Sequence, residues 1–292
     1  MPEDVQAWLA TAAWVFPLAG VVLWRLGRGG HLAAGALDHA PAREVGVGPL
    51  ELVAGLLLMV VGVFAGQQVL IGLGITADES GSWATSRGGA VAMLVMQLFS
   101  MGPAAGLFAV KAGFAEAGLR RSGLVPRRPG RDAAWGGLAL LAAAPLVMAA
   151  TLVVSGIALL AGVETPAIAH AALTRMRAEA SPVTLAILIA SAVVVAPLLE
   201  EVVFRGLLQT ALLKVAGGER RWVVIAFASG LFAVTHMGAA VWQSLAALFA
   251  LSVILGYLYE KTGSLWPSIL CHAGFNAYNV AVAVWVVPAE AG

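Results

Sequence analysis

PVTLAILIASAVVVAPLLEEVVFRGLLQTALL, residues 182–213, is the run whose reading decides the fold. As a helix it is long enough to cross about 30 Å of hydrocarbon, and its only ionisable side chains are Glu200, Glu201 and Arg205. It shows no alternation of apolar and polar residues, which excludes a transmembrane strand. Working outward, seven more runs of similar character cover about 7–26, 48–74, 89–114, 135–162, 222–237, 241–259 and 264–288. The expectation is an all-α polytopic membrane protein of about eight transmembrane helices.

Composition points the same way. Of 292 residues, 60% are hydrophobic and 11% charged, with a mean hydropathy of +0.90; soluble domains carry roughly a quarter charged residues. A net charge of +1 provides no basic field for a polyanion, so nucleic acid is excluded as a partner. The single cysteine, Cys271, rules out an internal disulfide framework and a cysteine-based metal cluster, leaving helix packing in lipid to hold the fold. The first run follows Glu3 and Asp4 instead of positive charge and reads as a mature span, not a signal peptide. Turn-rich charged stretches separate the runs: Gly27 to Gly46, the ADESGS stretch around Asp78, and RRSGLVPRRPGRD ending at Asp132. None is long enough to be a domain.

Lys and Arg accumulate in cytoplasmic loops. Here Arg25, Arg28 and Arg43, then Arg120, Arg121, Arg127, Arg128 and Arg131, then Lys214, Arg220 and Arg221, and finally Lys261 fall on alternate connections. Only Arg87, Arg175 and Arg177 fall on the other side. This asymmetry places both termini outside and the odd-numbered connections in the cytoplasm, as expected of a multi-pass cell (inner) membrane protein. The segment from Ala167 to Ala180 reads as an interfacial helix or a loop.

An ionisable residue inside a span costs several kcal/mol on insertion scales, so by default it faces a cavity or a partner. Among the acids, Glu200 and Glu201 lie deepest, with Glu51 at the mouth of the second run. His31, His39 and His170 fall in loops, whereas His236 and His272 fall within runs, joined by Asn276 and Asn279. Glu201 and Arg205, at i and i+4, share one helix face and can pair, while Glu200 is rotated about 100° away. His272 and Asn276 are likewise i and i+4. Glu200 and His236 lie about equally far from the turn at Gly217 and Gly218, hence at matching depth in an antiparallel hairpin. Asn279 and Phe232 read as packing residues and Cys271 as a small filler. Trp266 and Pro267 open the last helix.

These residues form three motifs: EEVVFR from Glu200 to Arg205, FAVTH from Phe232 to His236, and HAGFN from His272 to Asn276. They resemble the EExxxR, FxxxH and HxxxN signatures of the CAAX-protease and bacteriocin-processing (CPBP, or Abi) family of intramembrane proteases. The stretch LGYLYEKTGSLWPSILCHAGFNA, Leu255 to Ala277, is similar to that family's final segment. The resemblance covers about Ser181 to Asn279 and divides the chain. Residues 1–180 look like a variable transmembrane region of about four helices, and residues 181–288 like the catalytic transmembrane core. It implies an endopeptidase with Glu200 as general base, His236 orienting the water, and His272 with Asn276 holding the oxyanion. Glu201 and Arg205 then fix the helix face from which Glu200 projects.

The same residues allow a metal reading, with Glu200, His236 and His272 around zinc or another divalent ion. No HExxH is present, and Glu201 is better placed for Arg205 than for a base, so metal-free catalysis without a cofactor is favoured. The expected partners are the lipid bilayer and a peptide or protein substrate, membrane-associated or lipidated in one version, reaching a cavity open to the cytoplasm. Two alternatives stand: a proton-coupled transporter relaying protons through Glu200, His236 and His272, and a catalytically silent immunity or scaffold protein.

Overall fold

A computed structural model describes residues 3–41, 45–75, 87–114, 118–126, 128–163, 173, 176, 181–237 and 240–286. Arg43, the stretch around Asp78, Arg127, His170, Arg175, Arg177 and most of the segment from Ala167 to Ala180 lie outside the described residues. Among the described residues there is no strand, and the chain is an all-α polytopic membrane protein.

Each apolar run becomes a helix. They are α1 (Glu3–Arg28), α2 (Pro49–Gly72), α3 (Arg87–Phe114), α4 (Pro129–Leu160), α5 (Pro182–Val215), α6 (Arg221–Val234), α7 (Leu245–Thr262) and α8 (Trp266–Ala281). Six of them, α1 to α5 and α7 with its lead-in from Trp242, are long and apolar enough to cross a membrane, against the eight runs read from sequence. The other two differ for separate reasons. α6 has 14 residues, about 21 Å. α8 has 16, interrupted by His272, Asn276 and Asn279, and continues into a π turn over Val282–Val286.

The helix ends follow from local chemistry. Proline opens α2, α4, α5 and α8, where its missing N–H costs nothing. Ser181 caps α5, its Oγ accepting the Thr184 N–H at 3.4 Å. Gly263 ends α7 in the left-handed region at φ 65°. Gly123 sits so close to it that a Cβ there would lie 2.6 Å from the Gly263 carbonyl oxygen, while Gly123 O accepts the Leu265 N–H at 3.0 Å. The α7–α8 turn is thereby locked onto the connection that precedes α4.

α5 is central, with α3 on one side and α6 and α8 on others, while α2 packs on α3 and α1 on α4. Phe108, Val203, Leu207, Phe232 and Tyr259 share the largest buried cluster. Helices α2 and α3 approach closely because α2 presents glycines. A Cβ on Gly62 would fall 1.8 Å from Phe99 O, and one on Gly66 would meet Phe99 Cβ at 3.0 Å.

Helix α5 itself is uneven. Two π segments, Ser191–Val195 and Val202–Gln209, flank the α-helical turn Ala196–Glu201. Pro197 explains the first: it has no N–H to offer the carbonyls one turn back. The Ala196 N–H reaches Ser191 O, five residues back, and Asn276 Nδ2 donates to Ala192 O at 2.9 Å. In the second segment Thr210 Oγ1 donates to Arg205 O, also five residues back, at 3.1 Å. These wide turns bracket the two glutamates.

Candidate active site

Two glutamates that neighbour each other in sequence meet one imidazole. Glu201 Oε2 accepts from Arg205 Nε at 3.0 Å, and Glu201 Oε1 lies 3.0 Å from His272 Nδ1. A carboxylate accepts, so Nδ1 is the donor there and Nε2 is turned towards Glu200. Glu200 Oε2 lies 3.8 Å from Nε2, beyond hydrogen-bond length and in the range a water bridges. The expected Glu201–Arg205 pair is present. Sequence reading missed that Glu201 also orients His272, because the contact joins α5 to α8 and no single-helix periodicity reveals it.

Arg205 is fully buried and held from three directions: Glu201, Ser252 Oγ on α7, which accepts from Nη2 at 2.9 Å, and the face of Phe232, 5.6 Å from the guanidinium. A buried ion pair is costly to desolvate and tolerable only with such further partners. Phe232, read as a packing residue, is buried and packs the site residues against one another. Its ring centroid lies 5.0 Å from that of Phe204, 4.6 Å from His236 and 5.8 Å from His272.

His236 was expected inside the sixth span, over 222–237. The structure ends α6 at Val234 and places His236 in the turn beyond it. Here the motif supplies its own helix stop: Thr235 Oγ1 and His236 Nδ1 both reach Phe232 O, each at 2.8 Å, occupying the carbonyl that another turn of helix would need. This contact also sets the imidazole so that Nε2 carries the lone pair. Depth matches as expected. Glu200 and His236 each lie about 15 residues, roughly 22 Å, from the facing ends of α5 and α6. The electrostatic neighbours of Glu200 are His272, His236, Glu201 and Arg205.

Asn276 gives an amide hydrogen to Ala192 O and so ties α8 to the π turn above Glu200. Asn279 makes only a local bond to Phe275 O, and Cys271 is buried in an apolar cluster with Ala143 and Leu251. A second buried polar group escaped the sequence reading. Glu260, at the end of α7, accepts from Gln209 Nε2 at 2.7 Å and pairs with Arg221 at the start of α6. It stands beside Lys261 and so resembles an ordinary interfacial charge. Glu51, at the mouth of α2, pairs with Lys111 at 2.8 Å.

Glu200, His236 and His272 were also the alternative metal ligands. Among the described residues no three His, Cys, Asp or Glu side chains are arranged to hold an ion. His272 commits Nδ1 to Glu201, and His236 commits Nδ1 to its own helix. These bonds leave Nε2 of both rings turned outward, the same orientation that a carboxylate or carbonyl gives a zinc-ligating histidine, so Glu200, His236 and His272 remain the residues that would hold an ion.

Membrane-length helices enclosing two glutamates, an arginine and an imidazole define a polytopic membrane protein with a buried acid–imidazole site. Residues 182–278 match the family model described as Type II CAAX prenyl endopeptidase Rce1-like, consistent with the CPBP resemblance. The match contains Glu200, Glu201, Arg205, His236, His272 and Asn276, and supports an intramembrane endopeptidase. No curated protein and no solved structure matches the chain.

Proposed function

We propose that the chain hydrolyses peptide bonds within the membrane by metal-free catalysis, with Glu200 as general base. Glu200 takes a proton from water as the water oxygen attacks the scissile carbonyl carbon. The carbon–nitrogen bond then breaks and Glu200 returns the proton to the leaving amine. His236, its ring set by Phe232 O, orients the water. His272, its Nδ1–H held by Glu201, presents a second N–H at Nε2 as the imidazolium, and Asn276 offers the amide hydrogen not given to Ala192; together they hold the oxyanion. Residues 181–288 form the catalytic core, with the site open to the cytoplasm and both termini outside. The substrate is a peptide or protein held at the membrane, lipidated or not.

The observation that carries this reading is the 3.8 Å approach of Glu200 to an imidazole already oriented by a second carboxylate. Its test is cleavage of a quenched peptide library by the purified chain and by Glu200→Gln, with and without chelator. The expected result is chelator-resistant cleavage that Glu200→Gln abolishes with unchanged thermal unfolding. Cleavage retained by Glu200→Gln would remove the base, and loss on chelation would remove the metal-free mechanism.

A further inference from the structure

Hydrolysis at a buried carboxylate consumes water, and the polar groups of α5, α6 and α7 suggest where it comes from. Five buried side-chain atoms have no hydrogen-bond partner among the described residues: Arg205 Nη1, Gln209 Oε1, Trp222 Nε1, Ser229 Oγ and Gln243 Oε1. Trp222 and Gln243 lie near the ends of their helices. The other three belong to side chains that are wholly buried, and they fall at one junction.

Helix geometry places them together. Arg205 and Gln209 are one turn apart on α5 and face α7 through Ser252 and Gly256 O. A Cβ on Gly256 would lie 2.9 Å from Gln209 Oε1 and 3.0 Å from Ile225 Cγ2, so Gln209 stands level with Ile225 of α6. Arg205 stands level with Phe232. Ser229 lies between, one turn from each on the same face of α6. The three unpaired atoms are a charged donor, a carbonyl acceptor and a hydroxyl that can act as either. A water molecule has the complementary set, and buried waters typically make about three such bonds.

We propose that Arg205 Nη1, Gln209 Oε1 and Ser229 Oγ form a buried water site that feeds the Glu200 centre, a role resting on the endopeptidase reading above. Polar contacts continue from it in both directions. Outward, Gln209 Nε2 donates to Glu260, which pairs with Arg221, whose side chain retains 18% exposure. Inward, Arg205 leads to Glu201, then His272, then Glu200. The junction is a gap in this file of polar groups, as is the 3.8 Å step from His272 to Glu200, and water closes it.

The test is pulsed X-ray hydroxyl-radical labelling of the purified full-length chain, which generates radicals from bound as well as bulk water, read at Ile225 by mass spectrometry. Phe108, equally inaccessible but in the apolar core, serves as the dry reference. Ile225 should label well above Phe108 in the wild type. Labelling should fall at least fivefold in Ser229→Val, which fills the site and removes the hydroxyl, and about twofold in Ser229→Ala, which keeps the space. Peptidase kcat should fall about tenfold in Ser229→Val, with KM within twofold. Ile225 labelling no greater than that of Phe108, or unchanged in both variants, overturns the water site. Lost labelling with unchanged kcat overturns the supply role. Labelling needs no substrate, so it decides the water site independently of the Glu200→Gln result, which alone tests the base.

Discussion

The α2–α3 interface and the α5–α8 interface solve the same problem by opposite means. Between α2 and α3, glycine removes side chains so that backbones meet: Gly62 leaves no room for a methyl beside Phe99 O. Between α5 and α8 the contact is polar: Glu201 and Glu200 against His272, and Asn276 against a carbonyl exposed by Pro197. In lipid there is no hydrophobic drive between helices, so both rely on close packing or on polar groups with nowhere else to go. The first arrangement carries stability without chemistry. The second ties stability and chemistry together.

Four experiments break or sharpen this contrast. Glu200→Gln has the largest effect and falls on rate alone: turnover of a quenched peptide should drop about 10²–10⁴-fold, with thermal unfolding unchanged. Arg205→Met should cost about 3–5 kcal/mol, because it leaves Glu201 buried without its cation. Pairing it with Glu201→Gln should recover part of the stability but not the activity, as read by denaturation and cleavage of the same samples. Gly62→Val should cost about 3 kcal/mol through steric overlap in a fully packed interface, and the fraction that still folds should retain wild-type kcat. Asn276→Ala is the smallest in stability, about 1 kcal/mol for one interhelical hydrogen bond. Restoring a backbone N–H with Pro197→Ala should reduce that loss in thermal unfolding.

The apolar runs and the i, i+4 pairing of Glu201 with Arg205 could be read from sequence because each is a property of one helix. So could the matching depth of Glu200 and His236, which depends only on counting residues from a shared turn. The bridging of His272 by both glutamates could not, since it depends on how α8 is rotated against α5. Nor could the buried state of Glu260, because a carboxylate next to Lys261 at a helix end has the same local pattern whether it meets water or Gln209 and Arg221. The partners of Phe232 could not be read for a related reason. An aromatic at helical spacing looks like core filling until the three rings and the guanidinium around it are in place. The end of α6 was missed by a few residues because apolar character continues past Val234, while the hydrogen bonds that stop the helix come from Thr235 and His236.

The brevity of α6 reaches beyond the protein itself. Val223, Phe227, Leu231 and Val234 form an exposed apolar stripe along it, and at about 21 Å that stripe is some 9 Å shorter than the hydrocarbon around it. Lipids in contact with it must compress or tilt to match. A bilayer around it would therefore be thinnest beside the helix that stops two residues before His236, and a polypeptide bound from the aqueous phase would have the least oil to displace there.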